Sequence, residues 1–219
     1  MTLTINEIIH KYKSDFELNI RNLNIESNQI LGLVGENGAG KTTLMSILSG
    51  YLKANKSYNV NMDKNKSNIL FIPSDIELYD FITVDEFIGL VSRYSEEPVD
   101  TNTILETLEL TDKGQCSIDE LSLGMKKKLT LLPLFIRKYD ILILDEPFNS
   151  VDIGYIYKLK NILAQKKKDT TIIISSHILE TLVDLCDSFA LISDGRLEKQ
   201  FINTGDIRAV EGEIFEKGN

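Results

Sequence analysis

The sequence predicts an α/β fold, and three patterns support this prediction. Residues 29–35 (QILGLVG), 67–73 (SNILFIP) and 141–147 (ILILDEP) contain short, uninterrupted apolar runs, which are typical of strands covered on both faces. Residues 16–25 (FELNIRNLNI) alternate apolar and polar side chains, as antiparallel strands with one solvated face do. Helical patterns dominate residues 74–137, so we expect a helical subdomain inserted into the α/β unit.

The remaining segments continue this series. The Asn- and Lys-rich residues 53–68 predict a polar connection with one short strand, and Asp194-Gly195 is a hairpin turn signal. We interpret residues 1–219 as one domain, in which residues 1–73 and 138–219 form the β subdomain and the core. In chain order we expect helices at 41–52 (ending near Gly50), 84–94, 102–110 and 125–138, a helix at 156–168, a strand at 171–177, a helix at 178–186 and a hairpin at 189–201.

The composition argues against several classes of protein. A chain of 219 residues with 42% hydrophobic residues can bury a sizeable core. No apolar run approaches the roughly 20 residues that a transmembrane helix needs, and no apolar signal-peptide region follows the N-terminus, so we expect a cytoplasmic chain. Cys116 and Cys186 lie far apart with no second Cys or His at ligand spacing, which argues against a disulfide framework or a zinc site.

The charge argues against nucleic acid as a partner. The formal net charge is -9, whereas phosphate neutralisation requires a basic surface. The lysine runs 126–128 and 166–168 are therefore interpreted as solvated helix faces.

Residues 35–42 (GENGAGKT) match the phosphate-binding pattern G-x-x-x-x-G-K-[S/T]. The match lies between a predicted strand and a predicted helix, where glycines allow successive backbone N–H groups to converge on phosphate oxygens. In this pattern Lys41 reaches the β and γ phosphates and Thr42 is placed to bind Mg²⁺. The alternative is a glycine-rich turn ahead of a helix, which the strand and helix context disfavours.

An acidic pair follows the buried run at 141–144. Asp145 is placed to face Mg²⁺, and Glu146 is a candidate to orient and polarise the attacking water. Taken alone, such a pair could also be a helix N-cap. Together with the phosphate-binding pattern it predicts a phosphate-transfer site.

Four motifs, in this order, resemble the ATP-binding cassette (ABC) ATPase family. GENGAGKTT resembles its Walker A motif, LSLGM its signature, ILILDEPFNSVD its Walker B motif with the D-loop, and His177 in TIIISSHILE its H-loop. The resemblance covers nearly the whole chain, and its nearest subgroup is the ATPases of small bacterial exporters. It implies a P-loop NTPase (RecA-like) core with an N-terminal antiparallel β subdomain and an inserted helical subdomain.

The resemblance also implies roles for individual residues. Tyr12 would stack on adenine, although a partly buried strand aromatic is an equal alternative, and His177 would contact the γ-phosphate, although a lone His beside an apolar strand is often only structural. The D-loop would contain Asn149, Ser150 and Asp152. The full implied set is Tyr12, Gly35, Asn37, Gly38, Ala39, Gly40, Lys41, Thr42 and Thr43 for ATP, Ser122 and Gly124 for the ATP of a second subunit, Thr42, Asp145 and Ser74 for Mg²⁺, and Glu146, His177 and Lys41 for catalysis.

Two positions depart from the family pattern. Ser74 stands where the family usually has a Gln that touches Mg²⁺ or water, and its shorter side chain puts that metal role in doubt. Leu123 stands where the signature usually has a glycine, and Met125 replaces a frequent Gln. Ser122 and Gly124, which would face phosphate, are retained.

The resemblance implies an Mg-ATP hydrolase that dimerises head to tail, as a homodimer or with a paired cassette subunit, and drives a separate membrane subunit, in the direction of export. Such a chain would lie at the inner face of the cell membrane. The alternatives are a non-transport ABC ATPase acting on ribosomes or DNA, and a P-loop kinase or GTPase switch. The GTPase reading lacks a guanine-reading N-K-x-D motif, and the kinase reading lacks an acceptor site.

Overall fold

The computed structural model describes residues 3–12, 16–60 and 68–215. The strands of these residues are β1 Leu3–Lys11, β2 Glu17–Ile25, β3 Ile30–Val34, β4 Lys56–Val60, β5 Ile69–Ile72, β6 Ile141–Leu144, β7 Thr171–Ser175, β8 Ser188–Ser193 and β9 Arg196–Ile202. The helices are α1 Lys41–Ser49, α2 Val84–Ser92, α3 Thr101–Leu108, α4 Leu123–Thr130, α5 Pro133–Ile136, α6 Ile153–Lys166, α7 Leu179–Val183 and α8 Ile207–Phe215.

All of the described strands belong to one sheet, in the order β4-β1-β2-β9-β8-β3-β7-β6-β5. The strands β8, β3, β7, β6 and β5 are parallel neighbours, and β4, β1 and β2 form an antiparallel end. A single parallel pair, Asn19 with Arg196, joins this end to the β8–β9 hairpin. The predicted α/β class and the antiparallel N-terminal strands are confirmed, and the antiparallel strands extend the core sheet.

The central strands are buried because helices cover both faces of the sheet. Every residue of β3, β6 and β7 is buried, which is why their sequences are apolar without alternation. Along β6, Ile141 and Ile143 pack into the core cluster that contains the α1 side chains, whereas Leu142 and Leu144 pack into the cluster that contains α6 and α7. Successive side chains thus point to opposite layers.

The helical block has a core of its own. Its buried cluster includes Val84 and Ile88 of α2, Leu108 of α3 and Leu129 of α4. The N-terminus of α2 is closed by a capping box in which Thr83 and Glu86 bond each other's backbone N–H groups. The block contains α2 to α5, and the boundaries of the helical subdomain at 74 and 137 stay a prediction.

Some segments differ from the sequence expectation. The helix expected at 178–186 is shorter, Leu179–Val183, and the C-terminal helix α8 was not foreseen. In the polar stretch 53–68 the structure contains the one short strand expected, β4, while residues 61–67 lie outside the described part. Within the described residues, no helix combines the length and the apolar character needed to cross a membrane.

The interpretation of lysines 126–128 as a solvated face is wrong for Lys127 and Lys128. Lys127 and Lys128 are only 9% and 7% exposed. Lys128 bridges Glu109 and Asp152 at 2.7 and 2.8 Å, and its ammonium lies 4.5 Å from the centre of the Tyr155 ring. Burial alone would lower the pKa of Lys128, but these carboxylate bonds outweigh it, so its pKa is raised. Carboxylates on neighbouring elements make this burial possible, and a charge run does not reveal them.

The close packing around β3 gives a test of the central sheet. A Cβ at Gly32 would lie 2.7 Å from the Phe189 ring and 3.0 Å from the Cys186 sulfur. We expect Gly32→Ala to lower the free energy of unfolding by about 1–3 kcal/mol, since Phe189 is fully buried and has no room to yield. Urea denaturation measures this.

Gly89→Ala is the matched control. Gly89 lies in α2 and its added Cβ would meet nothing within 4 Å, so the change should raise stability by up to about 1 kcal/mol. Equal effects of the two substitutions would contradict the packing described for β3.

Candidate nucleotide-binding site

The carboxyl ends of the central strands open onto a hollow of about 860 Å³. Parallel strands deliver their succeeding segments to the same edge of the sheet, and so the turn after β3 meets the acidic pair after β6. The predicted site residues that line the hollow are Tyr12, Asn37, Gly38, Gly40, Lys41, Thr42, Thr43, Ser74, Asp145, Glu146 and His177. Gly35 and Ala39 lie in the same turn, whereas Ser122 and Gly124 do not line the hollow.

The turn after β3 depends on its glycines. Gly35, Gly38 and Gly40 have φ of 147°, 82° and 107°, values that favour glycine. A Cβ at Gly35 would lie 2.0 Å from the Ile192 carbonyl oxygen. Gly40 is the N-cap residue of the nine-residue helix α1, whose first N–H groups have no partner within the helix and lie where an anion would be held.

Lys41 crosses this turn. Its ammonium donates to the Gly35 and Glu36 carbonyl oxygens at 2.7 and 3.0 Å. Partial burial lowers the pKa of Lys41, while the charges of Glu146 and Asp145 oppose that effect. A half-buried cation beside a glycine-rich turn at a helix N-terminus is suited to phosphate oxygens.

Asp145 is buried and lies at the centre of a hydrogen-bond network. The Thr42 hydroxyl donates to its Oδ2 at 2.6 Å, and the Ser175 hydroxyl donates to its Oδ1 at 2.5 Å. Ser175 also accepts a hydrogen bond from the Glu146 backbone N–H at 3.0 Å. Ser175 was missed by the sequence reasoning, since a polar residue at the end of a buried strand carries no motif.

The donor set around Asp145 fits Mg²⁺. A hydroxyl and a carboxylate oxygen are hard ligands, and Mg²⁺ is commonly held by one or two protein oxygens together with substrate phosphates and water. Among the described residues, no group of three or more His, Cys, Asp or Glu side chains is placed to hold a metal ion. Thr42 and Asp145 are the residues that could hold it.

Glu146 and His177 are in direct contact. The Glu146 carboxylate Oε2 accepts from the His177 backbone N–H at 3.1 Å and lies 3.0 Å from its Nδ1. Glu146 has φ of 50°, an uncommon value for a non-glycine residue that costs free energy and is typical of functional sites. This backbone turns the Glu146 side chain from the β6 edge toward the hollow.

Aromatic side chains form one side of the hollow. Tyr12 is 44% exposed, and its hydroxyl lies 3.2 Å from the Thr43 hydroxyl. The rings of His10 and Phe16 lie 4.8 and 6.3 Å from the Tyr12 ring, centre to centre. Phe16 also lines the hollow and was not foreseen, because in sequence it reads as the start of a strand.

Ser122 and Gly124 lie at the start of α4, beside a second hollow of about 590 Å³. Ser122 caps α4 by accepting from the Met125 N–H at 3.3 Å. Gly124 has no room for a side chain, since a Cβ would lie 2.6 Å from the Ser150 carbonyl oxygen. Between them, Leu123 is 70% exposed.

The fold and this site define a P-loop nucleoside triphosphatase, in which a glycine turn opens a helix opposite a buried Asp and a strand-terminal Glu. The family model described as "ABC transporter" matches residues 18–149, so the chain belongs to the ABC transporter family.

Curated relatives of the chain support its place in the ABC transporter family. The chain is 31% identical over 213 residues to the rat ATP-binding cassette sub-family A member 2, covering 90% of this chain and 9% of that protein. It is 31% identical over 190 residues to the uncharacterized ABC transporter ATP-binding protein YybJ of Bacillus subtilis, covering 79% and 84%. It is 30% identical over 205 residues to the bacitracin transport ATP-binding protein BcrA of Bacillus licheniformis, covering 87% and 66%.

Several of these relatives are longer than the region they share with the chain. The chain spans 9% of the rat and human sub-family A proteins and 61% of the B. subtilis protein YhcH. Among solved structures, the ATP-binding subunit of an ABC transporter matches with a TM-score of 0.80 at 24% identity, covering 97% of this chain and 94% of that one. This likeness confirms the fold.

The network around Asp145 gives a test of Ser175. We expect Ser175→Ala to lower the free energy of unfolding by about 1–3 kcal/mol, because a buried carboxylate oxygen and the Glu146 N–H lose their shared partner. Chemical denaturation measures the loss. Ser49→Ala is the control, since its hydroxyl bonds only nearby backbone groups, the Ser46 carbonyl and the exposed Tyr51 N–H, and should matter by less than about 0.5 kcal/mol. An unchanged stability for Ser175→Ala would refute the network.

Proposed function

We propose that this chain binds and hydrolyses Mg-ATP as the motor subunit of a membrane transporter, in a head-to-tail dimer. The observation that carries the proposal is the arrangement at one edge of the sheet. Lys41 and the α1 N-terminus face Asp145 and the Glu146–His177 pair across one hollow. Hydrogen-bond donors for a phosphate would then lie opposite a carboxylate that can activate water.

In the proposed reaction the turn at 35–43 holds the phosphates through its N–H groups, and Lys41 supplies positive charge to the β and γ phosphates. We call this turn the phosphate cradle; it also contains Asn37, Gly38, Ala39, Gly40 and Thr43. Tyr12 offers an aromatic face for the base. When bound at Thr42 and Asp145, Mg²⁺ would neutralise charge on the phosphates.

Glu146 and His177 act on the attacking water in this proposal. An ionised carboxylate only accepts hydrogen bonds, so in the neutral ring the His177 Nδ1–H donates to Glu146. The Nε2 atom is then an acceptor and can receive a hydrogen bond from the water that Glu146 polarises. Ser74 lines the hollow and its backbone carbonyl accepts from the Lys127 ammonium, and its role at the metal stays a prediction.

The dimer is supported by the position of α4. Ser122 and Gly124 stand at the N-terminus of an eight-residue helix but do not line the hollow of their own chain. A helix N-terminus attracts anions, and we propose that this one faces the γ-phosphate held by a second cassette, identical or paired.

The membrane partner is supported by the names of the relatives. BcrA is a bacitracin transport protein, and several other relatives are named as ABC transporter ATP-binding proteins. We propose export, and a location at the inner face of the cell membrane against a separate membrane-spanning subunit. The structural likeness to RNase-L inhibitor and to an archaeal ribosome recycling factor, at 20% and 21% identity, reflects the shared fold. Co-purification tests the choice between a transporter subunit and a ribosome-acting ATPase: we expect the chain to co-purify with a multi-span membrane protein and not with ribosomes.

Glu146→Gln tests the catalytic assignment. The amide retains the size of the side chain but does not accept a proton, so we expect steady-state hydrolysis to fall by about 10²–10⁴-fold while ATP binding persists. An ATP-locked dimer should accumulate, measurable by analytical ultracentrifugation. Glu180→Gln, an exposed carboxylate on α7, is the control and should hydrolyse ATP normally. Normal turnover in Glu146→Gln would contradict the assignment of Glu146 as the residue that activates the attacking water.

Ser122→Asp tests the shared site. Asp caps helices as well as Ser does, so α4 should remain intact, but its charge would repel the phosphate of the second cassette. We expect a fluorescent ATP analogue to bind the isolated chain unchanged, and hydrolysis to fall at least about tenfold, since a like-charge contact costs several kcal/mol. Full-rate hydrolysis by Ser122→Asp, or by monomeric protein, would contradict a shared site.

A further inference from the structure

Lys127 is a buried cation that the proposed reaction leaves unused. It lies in α4, one and a half turns after Ser122, and is 9% exposed. Its ammonium donates to the Ser74 carbonyl oxygen at 3.2 Å. Burial lowers the pKa of Lys127, and the charges of Asp145, Asp75 and Glu146 oppose this.

Ser74 belongs to a wall shared by two hollows. Ser74, Asp75 and Asn149 line both the nucleotide hollow and the second hollow beside the start of α4. Lys127 lines only the second hollow, but its ammonium bonds Ser74, which lines both hollows. It therefore connects α4 with the back of the nucleotide hollow.

The same carboxylates face two lysines. Asp145 and Glu146 act on Lys41 from the cradle side and on Lys127 from the α4 side. A triphosphate and its cation that enter the nucleotide hollow would change the electrostatic field around Asp145 and Glu146. A buried ammonium feels such a change strongly, because little water screens it.

The helix α4 can transmit a displacement of Lys127. Leu129 packs into the core of the helical block, and Ser122 at its other end is capped. Since an α-helix is stiff over two turns, a change at the Lys127–Ser74 bond that displaces the α4 backbone would carry Ser122 and Gly124 with it.

We propose that Lys127 is a positioning residue that couples the nucleotide hollow of its own chain to the start of α4. The inference rests on the proposed function, in which that helix start completes the site of a second cassette. Lys127 would then set how well α4 is aligned for the second site when its own hollow is filled.

The experiment compares Lys127→Met, Lys127→Arg and Lys127→Gln with Lys166→Met. Met retains the apolar stem and removes the charge, Arg retains the charge, and Gln retains a donor without the charge. Lys166 is a half-buried lysine of α6 that lines neither hollow, and burial lowers its pKa as well, so it is the matched control. Thermal unfolding verifies that each variant is folded.

Three quantities are measured: binding of a fluorescent ATP analogue to the isolated chain, kcat and KM for ATP, and ATP-dependent dimerisation in a Glu146→Gln background. For Lys127→Met we expect analogue binding within about twofold of the parent, and kcat and dimer affinity lower by about tenfold, within the usual range of coupling between sites. Lys127→Arg should recover most of both, Lys127→Gln little, and Lys166→Met should behave as the parent.

Two results would overturn the coupling. One is a Lys127→Met or Lys127→Gln protein that dimerises and turns over within twofold of Lys166→Met. The other is a loss of analogue binding that accounts for the whole defect, which would make Lys127 part of the nucleotide hollow itself. If the Glu146→Gln parent does not dimerise with ATP at all, the shared site fails, and the coupling fails with it.

Discussion

The buried Asp145 carboxylate is the interaction on which the site depends. It is 2% exposed, and an unpaired charge at that depth would be costly, so its oxygens must be bonded. Thr42 at the start of α1 and Ser175 at the end of β7 supply those bonds. One carboxylate thereby fastens a helix and two strands to each other, and the Ser175 hydroxyl passes the constraint on to the Glu146 backbone.

The geometry of the site is a consequence of the parallel sheet. The register pairs Leu33 with Ser175 and Leu144 with Ile174, so β3, β6 and β7 end level with one another. The glycine turn, the acidic pair and His177 each begin within two residues of the end of one of these strands, and they must therefore meet at one edge. Helices on both faces keep the strands dry, which is why the polar residues are confined to the strand ends.

The sequence was informative where a side chain's surroundings follow from its own segment. The turn at 35–42 and the Asp145–Glu146 pair each lie next to a buried strand, and this context is readable from local pattern. Phe16, Ser175 and the buried Lys127 depend on residues from distant segments, so no local pattern reveals them. The acidic net charge favoured the wrong interpretation of lysines 126–128 as a solvated face. Lys128 is instead bonded in the interior by carboxylates that lie more than fifteen residues away in the sequence.

Lysine side chains from two different elements face the carboxylates that line the nucleotide hollow. Asp75, Asp145 and Glu146 line it, and a triphosphate adds further negative charge. Lys41 comes from the cradle, and Lys127 faces the same carboxylates from α4. Backbone donors at the start of α1 contribute only partial charge. The protein cations therefore do not neutralise the carboxylates and the phosphates together, and this deficit is the physical support for a divalent cation beside Asp145. It also makes the position of Lys41, which lines the hollow, matter to the binding of nucleotide.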